Sequence, residues 1–398
     1  MSRLLAACAV LAFAFPVSAA DEKPKPNTLT PKEIANGWIL LFDGETSFGW
    51  LADSRPGAKG VSQIEPAKMH GAIRVGGENE KVAYQSVAFA DYEMTFEVSR
   101  KGLSKATLGM QIVYTVEGGG DGTSMSSRDV DQMCEANGDW ASVKIKAAAG
   151  PNNTYSYQVN EDKPVSTRPN PKVGLSYLSR MGIKVSPGGE MFLRNVKLRP
   201  LNTKSLFDGK SLDGWSVNKA DPKRVASKFE VTKEGELSVK DGPGDLVTAK
   251  EFDNFVLQFE CKTLGEALNS GIFFRCIPGE YQNGYEAQIQ NAFLDKDRTK
   301  PKDFGTGAIY RRVPARKVVS DDNAWFTMTL VADGKHFSTW VNGYQTVDWT
   351  DDRAADANPR KGYRSAKGPL SIQGHDTTTD LLFRNIRVAE LVIEKKEK

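Results

Sequence analysis

Histidine and cysteine are scarce in this chain, with 3 His and 4 Cys among 398 residues. That shortage disfavours a His-rich metal cage and a disulfide-dense scaffold. An excess of either charge is missing too: 53 basic against 50 acidic residues leave +3. Such a balance argues against a nucleic-acid scaffold and against a polybasic membrane-surface protein. No phosphate-binding glycine loop, paired Cys/His metal spacing or Gly-x-Ser-x-Gly elbow is present. What remains is ordinary soluble-globular composition, 39% hydrophobic and 26% charged with 36 Gly and 19 Pro. At roughly 100–200 residues per domain, the length implies two or three domains.

One apolar run stands out, at the N-terminus. Arg3 precedes an apolar Leu4–Phe15 stretch and the small-residue sequence Val17-Ser18-Ala19-Ala20. This reads as a cleaved secretory signal over residues 1–20, too short to span a bilayer. Leu5-Ala6-Ala7-Cys8 superficially fits a lipoprotein box, but would leave almost no apolar region before it. No other stretch reads as a transmembrane segment, so the expectation is an exported soluble protein, periplasmic or secreted. With Cys8 removed, Cys134, Cys261 and Cys276 remain. The last two fall on adjacent predicted strands and read equally well as a pair or as two buried free thiols.

The chain also repeats itself. Leu41-Phe42-Asp43-Gly44 returns as Leu206-Phe207-Asp208-Gly209, and Trp50 returns as Trp215. Phe96-Glu97 returns as Phe259-Glu260, Val159-Asn160 as Val341-Asn342, and Arg194-Asn195-Val196 as Arg384-Asn385-Ile386. A repeat this long implies a duplicated domain. A Pro-rich linker and short helix over 21–36 would precede copies at 37–200 and 201–394, divided near Arg199-Pro200-Leu201-Asn202. The helix is signalled by the capping box Thr30-Pro31-Lys32-Glu33. Elsewhere the period is two, and Asp333-Gly334 and Asn342-Gly343 are hairpin turns flanking His336–Val341. Many short strands predict an all-β chain of two tandem β-sandwiches.

Strand parity separates two faces in the second copy. Ile272, Phe274, Tyr285, Ala287, Ile289, Leu370 and Ile372 fall on an apolar face. Phe273, Arg275, Glu286, Gln288, Gln373 and His375 fall on the other. A merely solvated face would more usually carry Lys, Thr and Ser.

These segments, Asn269-Ser-Gly-Ile-Phe-Phe-Arg275, Gly284-Tyr-Glu-Ala-Gln-Ile289, Gly307-Ala-Ile-Tyr310 and Ile372-Gln-Gly-His375, follow Leu206–Trp215 and precede Phe383-Arg-Asn-Ile386. Together they resemble the 3-keto-disaccharide hydrolase family, also described as 3-keto-glucoside 1,2-lyases/2-hydroxy-glucal hydratases. The resemblance covers nearly all of 201–394 and implies a concanavalin-A-like (lectin/glucanase-type) sandwich with its site on a concave sheet. Two departures are visible. The family's frequent Asp-His-Gly reads Gly374-His375-Asp376 here, and Asn291 stands where an acidic residue is common. Asp376 is a candidate substitute. The first copy looks like a diverged relative. It offers no Arg against Arg275, no His in Ser179–Gly182 set against Ile372–His375, and no Gly-Tyr-Glu segment, so it reads as structural or sugar-binding. His70 reads as an exposed loop residue.

A ketone at C3 of a sugar acidifies the C2 hydrogen, so a base can form an enolate that expels the C1 substituent. Water then adds to the enone. The route needs a base, a donor or cation for the enolate oxygen, and an acid. His375 is the candidate base, Arg275 the oxyanion partner and Glu286 the acid/base partner. The alternative for Glu286 is a salt bridge with Arg275 inside the sheet. Gln288, Gln373, Tyr310 and Asn269 are candidate sugar-binding residues. The residues leave open whether a divalent metal ion assists the enolate. His336 reads as a packed edge residue. A conventional two-carboxylate glycosidase is not evident, because only Glu286 stands out on the polar face. The rival reading is a non-enzymatic carbohydrate-binding protein resting on aromatics such as Trp215 and Trp349.

Overall fold

The computed structural model describes residues 25–52, 65–67, 71–79, 81–101, 106–116, 120–129, 139–148, 154–167 and 178–391. Residues 1–20, read above as a signal sequence, with Cys8, His70 and Cys134, lie outside these residues. Thr30 caps the helix Pro31–Ala35, with Glu33 returning the bond to the cap as the sequence predicts. Beyond it the regular elements of the described chain are almost all strands, arranged as one eight-stranded and one five-stranded sheet in each half.

In the second half the five-stranded sheet consists of β1 (Trp215–Val217), β2 (Gly244–Phe252), β3 (Ser270–Phe274), β4 (Tyr285–Ile289) and β5 (Gly368–Gly374). Its order is β1-β2-β5-β3-β4, all antiparallel. The first half repeats this order with Trp50–Ala52, Lys81–Gln85, Leu178–Val185, Ala106–Val116 and Gly120–Asp129. Leu246, Ile272, Phe274, Ala287, Ile289, Leu370 and Ile372 meet Leu257, Phe259, Met328, Leu330, Leu381 and Phe383 of the eight-stranded sheet in one apolar cluster. Alternation therefore buries one face of the five-stranded sheet and turns the other outward. Cys261 and Cys276 are buried free thiols, not a pair.

The repeated motifs prove to be joints. Asp43 and Asp208 each accept backbone N–H bonds from the residues two and three positions on, closing a turn. Trp50 and Trp215 each donate an indole bond, 2.6 Å long, back to Leu41 O and Leu206 O. Trp215 is thus nearly buried and Trp349 packs on Phe337, so neither is the sugar platform considered above. Asn195 and Asn385 adopt φ of 53° and 52° where the ladder slips by a residue. Asparagine tolerates that left-handed conformation better than most residues. Beside each slip an arginine pairs with a glutamate and lies over a tryptophan: Arg194 with Glu97 and Trp140, Arg384 with Glu260 and Trp325.

The two halves share a seam. Trp340 is fully buried within the first half's apolar cluster, tilted against Phe89 at 6.4 Å, and donates to Leu40 O (2.9 Å). His336 does not sit passively at an edge. It bonds Asp348 (2.8 Å), which also accepts from Ser86 of the first half (2.9 Å). Arg316 pairs with Asp43 (2.8 Å) and lies over the Phe48 and Tyr344 rings. Replacing Trp340 by Ala should cost about 3–5 kcal/mol through lost burial and a cavity. Calorimetry should then resolve a lower, split transition where the unmutated chain melts as one. An unshifted single transition would mean that the seam contributes little to stability.

Candidate active site

Across β2, β5, β3 and β4 the register aligns Asp245 with Gln373, and Ser371 with Phe273 and Glu286. Directly opposed residues share a face, so this set forms the outward side. Three connections cover it. Residues 290–325 fold back along β4, with Gln288 N bonding Ala308 O (3.0 Å) and Tyr310 N bonding Glu286 O (2.9 Å). That irregular edge carries Tyr310 and Arg311 to the rim. Residues 351–367 form the adjoining wall, pinned where Tyr285 Oη donates to Asp351 (2.7 Å) and Arg353 pairs with Asp351 (2.7 Å). Residues 275–284 contribute Tyr281 and Gln282.

Between them lies a cleft of about 490 Å³, lined by Glu286, Gln373, His375, Tyr310, Asn269 and Phe273, with Tyr281, Gln282 and four arginines around them. Five of the seven residues singled out from sequence therefore meet. Gln288 lies on the same face but is fully buried and does not line the cleft. Its amide donates to Asp303 O (3.1 Å).

Arg275 is the correction. It is fully buried and does not line the cleft. Strand β3 ends at Phe274 and Arg275 takes φ of 50°, so alternation no longer dictates its direction. The guanidinium instead donates to Gly334 O (2.8 Å), Arg364 O (3.1 Å), Asp253 O (3.3 Å) and Asn254 Oδ1 (2.8 Å). It knots three loops together and pairs at 3.6 Å with Asp253, not with Glu286.

Glu286 is 6% exposed. Among the described residues its carboxyl makes no hydrogen bond or ion pair. Gly271 gives it room, since a Cβ there would come within 2.6 Å of Oε1. Burial pushes its pKa up to about 8; Asp303 adds to the rise, while Arg360 and Arg311 oppose it. Glu286 is therefore largely protonated at neutral pH and can donate a proton. His375, at the end of β5, lies half-exposed at the cleft edge with Nδ1 2.8 Å from Asp376 Oδ2. Asp376 also accepts from Thr378 N and Oγ1, which holds its carboxylate below the usual range, with burial opposing and His375 helping. A carboxylate on Nδ1 orients the ring and leaves Nε2 for a substrate proton.

Sequence reasoning missed Gln282 and Asp245. Gln373 Nε2 donates to Gln282 Oε1 (2.9 Å), leaving Gln282 Nε2 and Gln373 Oε1 buried without partners. One free donor beside one free acceptor suits a hydroxyl, which is both. Asp245 is fully buried, accepts from Ser371 (2.8 Å), and keeps Oδ1 unpaired. Burial holds its pKa above the usual range, against the Ser371 hydrogen bond. Its position opposite Gln373 was readable only once the register was known. Among the described residues no three His, Cys, Asp or Glu side chains converge as a cation would need.

In the first half the register places Gly109 beside Gly182 and opposite Ser127. That sets Ser127 where the second half has Glu286. It also sets Ile183–Val185 against Ile372–Gly374, four positions beyond the Ser179–Gly182 alignment made from sequence. Ser186 then stands near the place of His375, so no histidine is supplied under either alignment.

A sugar-sized polar cleft on the open face of a lectin-like sandwich defines a carbohydrate-active β-sandwich protein. Residues 202–389 match the family model of the 3-keto-alpha-glucoside-1,2-lyase-like domain. The second half is thus similar to that family's domain, and is a carbohydrate-active, glycosyl hydrolase-like domain. No curated protein matches the chain. Among solved structures it is similar to a candidate glycosyl hydrolase of Parabacteroides distasonis at 21% identity, covering 48% of this chain and 94% of that one (TM-score 0.39). A second such protein from the same organism shows 26% identity over 48% and 100% of the two chains (TM-score 0.38). A carbohydrate-binding module of Bacillus subtilis shows 16% identity over 44% and 93% (TM-score 0.30).

Two measurements check these placements. Arg275→Met should lower stability by about 3–5 kcal/mol, because buried carbonyls lose their donor. Unchanged thermal unfolding would contradict the structural role. Glu286→Gln should stabilise the fold relative to the unmutated chain, and increasingly so as pH rises. The folded carboxyl binds its proton more tightly than the unfolded one, so its penalty grows from the ordinary carboxyl range to pH about 8 and then levels off. A stability difference independent of pH would contradict the raised pKa.

Proposed function

We propose that the second half cleaves 3-keto-glycosides by elimination across C1–C2 followed by hydration, a net hydrolysis. The single observation carrying this reading is the pairing, in one cleft, of a neutral carboxyl with a carboxylate-oriented imidazole. Elimination needs those two protonation states together. His375 Nε2 takes the C2 proton, and the electron pair moves into the C2–C3 bond as charge gathers on the C3 oxygen. Collapse of that enolate expels the C1 substituent, which Glu286 protonates as the C1–C2 double bond forms. Rehydration reverses the roles, with ionised Glu286 drawing a proton from water as the oxygen bonds to C1, and His375 returning its proton to C2.

Arg275 is unavailable to the enolate oxygen, so Tyr310 Oη and the free Gln282 Nε2 serve as its uncharged donors, within the field of the arginines that line the cleft. Asn269 is held by Asp303 (2.8 Å) and presents its carbonyl oxygen to a sugar hydroxyl. The sequence at 1–20 supports export to the periplasm or the medium, where free glycosides would be met.

The non-enzymatic reading draws on the unpaired Gln282 and Gln373 groups, which would bind a sugar whether or not it reacts. Turnover separates the two. His375→Ala should lower kcat for a 3-keto-disaccharide by about 10²–10⁴-fold with binding held within about tenfold. In the unmutated protein kcat/KM should fall above pH about 8 as Glu286 ionises. Sugar binding without consumption of any 3-keto-disaccharide tested, with and without added divalent cation, would favour the binding protein.

A further inference from the structure

The cleft holds more positive charge than the single enolate oxygen of the proposed reaction needs. Arg224, Arg311, Arg312 and Arg360 all line it, and Glu286 is the single carboxyl residue among the lining side chains. Of the four, Arg224 has a partner in Asp221 (3.2 Å) and lies over the Tyr281 ring at 4.4 Å. Among the described residues no carboxylate pairs with the other three. Arg312 is occupied with the carbonyls of Pro359 (3.1 Å) and Arg360 (2.9 Å). Arg360 spends one nitrogen on Gln282 O (2.7 Å). Arg311 makes only a ring contact with Tyr310, at 5.3 Å.

Neutral sugar hydroxyls are matched by amides, tyrosines and one or two charges. Several guanidinium groups held together repel one another, and a walled cleft focuses their field outward onto whatever enters. The backbone also commits to the arrangement, because Arg311 stands at φ of 57° at the turn that closes the irregular edge. Planar guanidinium forks match carboxylate and sulfate oxygens two at a time.

We propose that the cleft takes a glycan bearing an anionic substituent, a uronate carboxylate or a sulfate ester, held at the mouth by Arg311 and Arg360. This rests on the cleft being the sugar site. It adds a substrate class to that reading: acidic glycosides in preference to neutral ones. The anion also complements Glu286, which in its neutral form does not repel it.

Calorimetric titration of the full chain with three matched disaccharides tests this. The probes are cellobiose, the form whose non-reducing unit is a glucuronate, and the 6-sulfate, each as the parent sugar and in its 3-keto form. At low ionic strength at least one acidic ligand should bind about tenfold more tightly than the neutral one. The carboxylate and sulfate arms identify which anion is taken. The advantage should shrink at high salt in the unmutated protein, and should disappear in the Arg311→Gln/Arg360→Gln double variant, whose melting checks that it remains folded. Equal affinity for neutral and acidic sugars would overturn this inference and leave the carbohydrate reading standing. Binding of none of them would overturn both. An acidic preference surviving in the folded double variant would overturn the assignment to these two arginines.

Discussion

A β-sheet that turns polar side chains outward and is then roofed by loops must find partners for every group the roof covers, because a buried polar group without one is costly. That constraint organises the second half. Tyr285 reaches Asp351, Asn269 and Gln288 reach Asp303, Ser371 reaches Asp245, and Arg275 reaches backbone carbonyls from three loops. The groups left unpaired are informative for the same reason. Asp245 Oδ1 and Gln288 Oε1 lie buried on the sheet's open face, whereas Gln282 Nε2, Gln373 Oε1 and the Glu286 carboxyl line the cleft itself.

The electrostatics follow from this arrangement. Glu286 is kept from ionising mainly by burial, and the carboxylate of Asp303 reinforces it. Asp376, nearer water and held by Thr378, stays ionised and steadies the imidazole. Glu286 within β4 and Asp376 just past the end of β5 thus hold opposite protonation states at one pH, set by depth and hydrogen bonding.

Much of the fold was readable in advance. Period two named the core face of the site sheet residue by residue, and the recurring Leu-Phe-Asp-Gly and Arg-Asn-Val/Ile words marked equivalent places in both halves. Those words turned out to be turns and bulge joints, so their recurrence reports architecture and not chemistry. Alternation failed at Arg275, one residue past the end of its strand, where a left-handed φ redirects the side chain. Asp245 and Gln282 were invisible for another reason. Their roles come from strand register and from a loop folding over the sheet, and neither leaves a local signature. The alignment of Ser179–Gly182 with Ile372–His375 slipped for the same cause, since sequence spacing cannot detect a shift that pairing reveals.

The Arg316 contact gives the first half a part in the site that its own residues do not suggest. Arg316 follows Arg311 by five positions on the irregular edge, and its far end is gripped by Asp43 and Thr46 of the other half. A few such contacts would hold two separate proteins together poorly. Joined through Pro200-Leu201-Asn202, the halves face each other at an effective concentration that a short tether raises to about the millimolar range. Covalent linkage therefore lets a small seam serve as a permanent splint. A sandwich lacking both Glu286 and His375 counterparts can still limit how far the mouth of its neighbour moves.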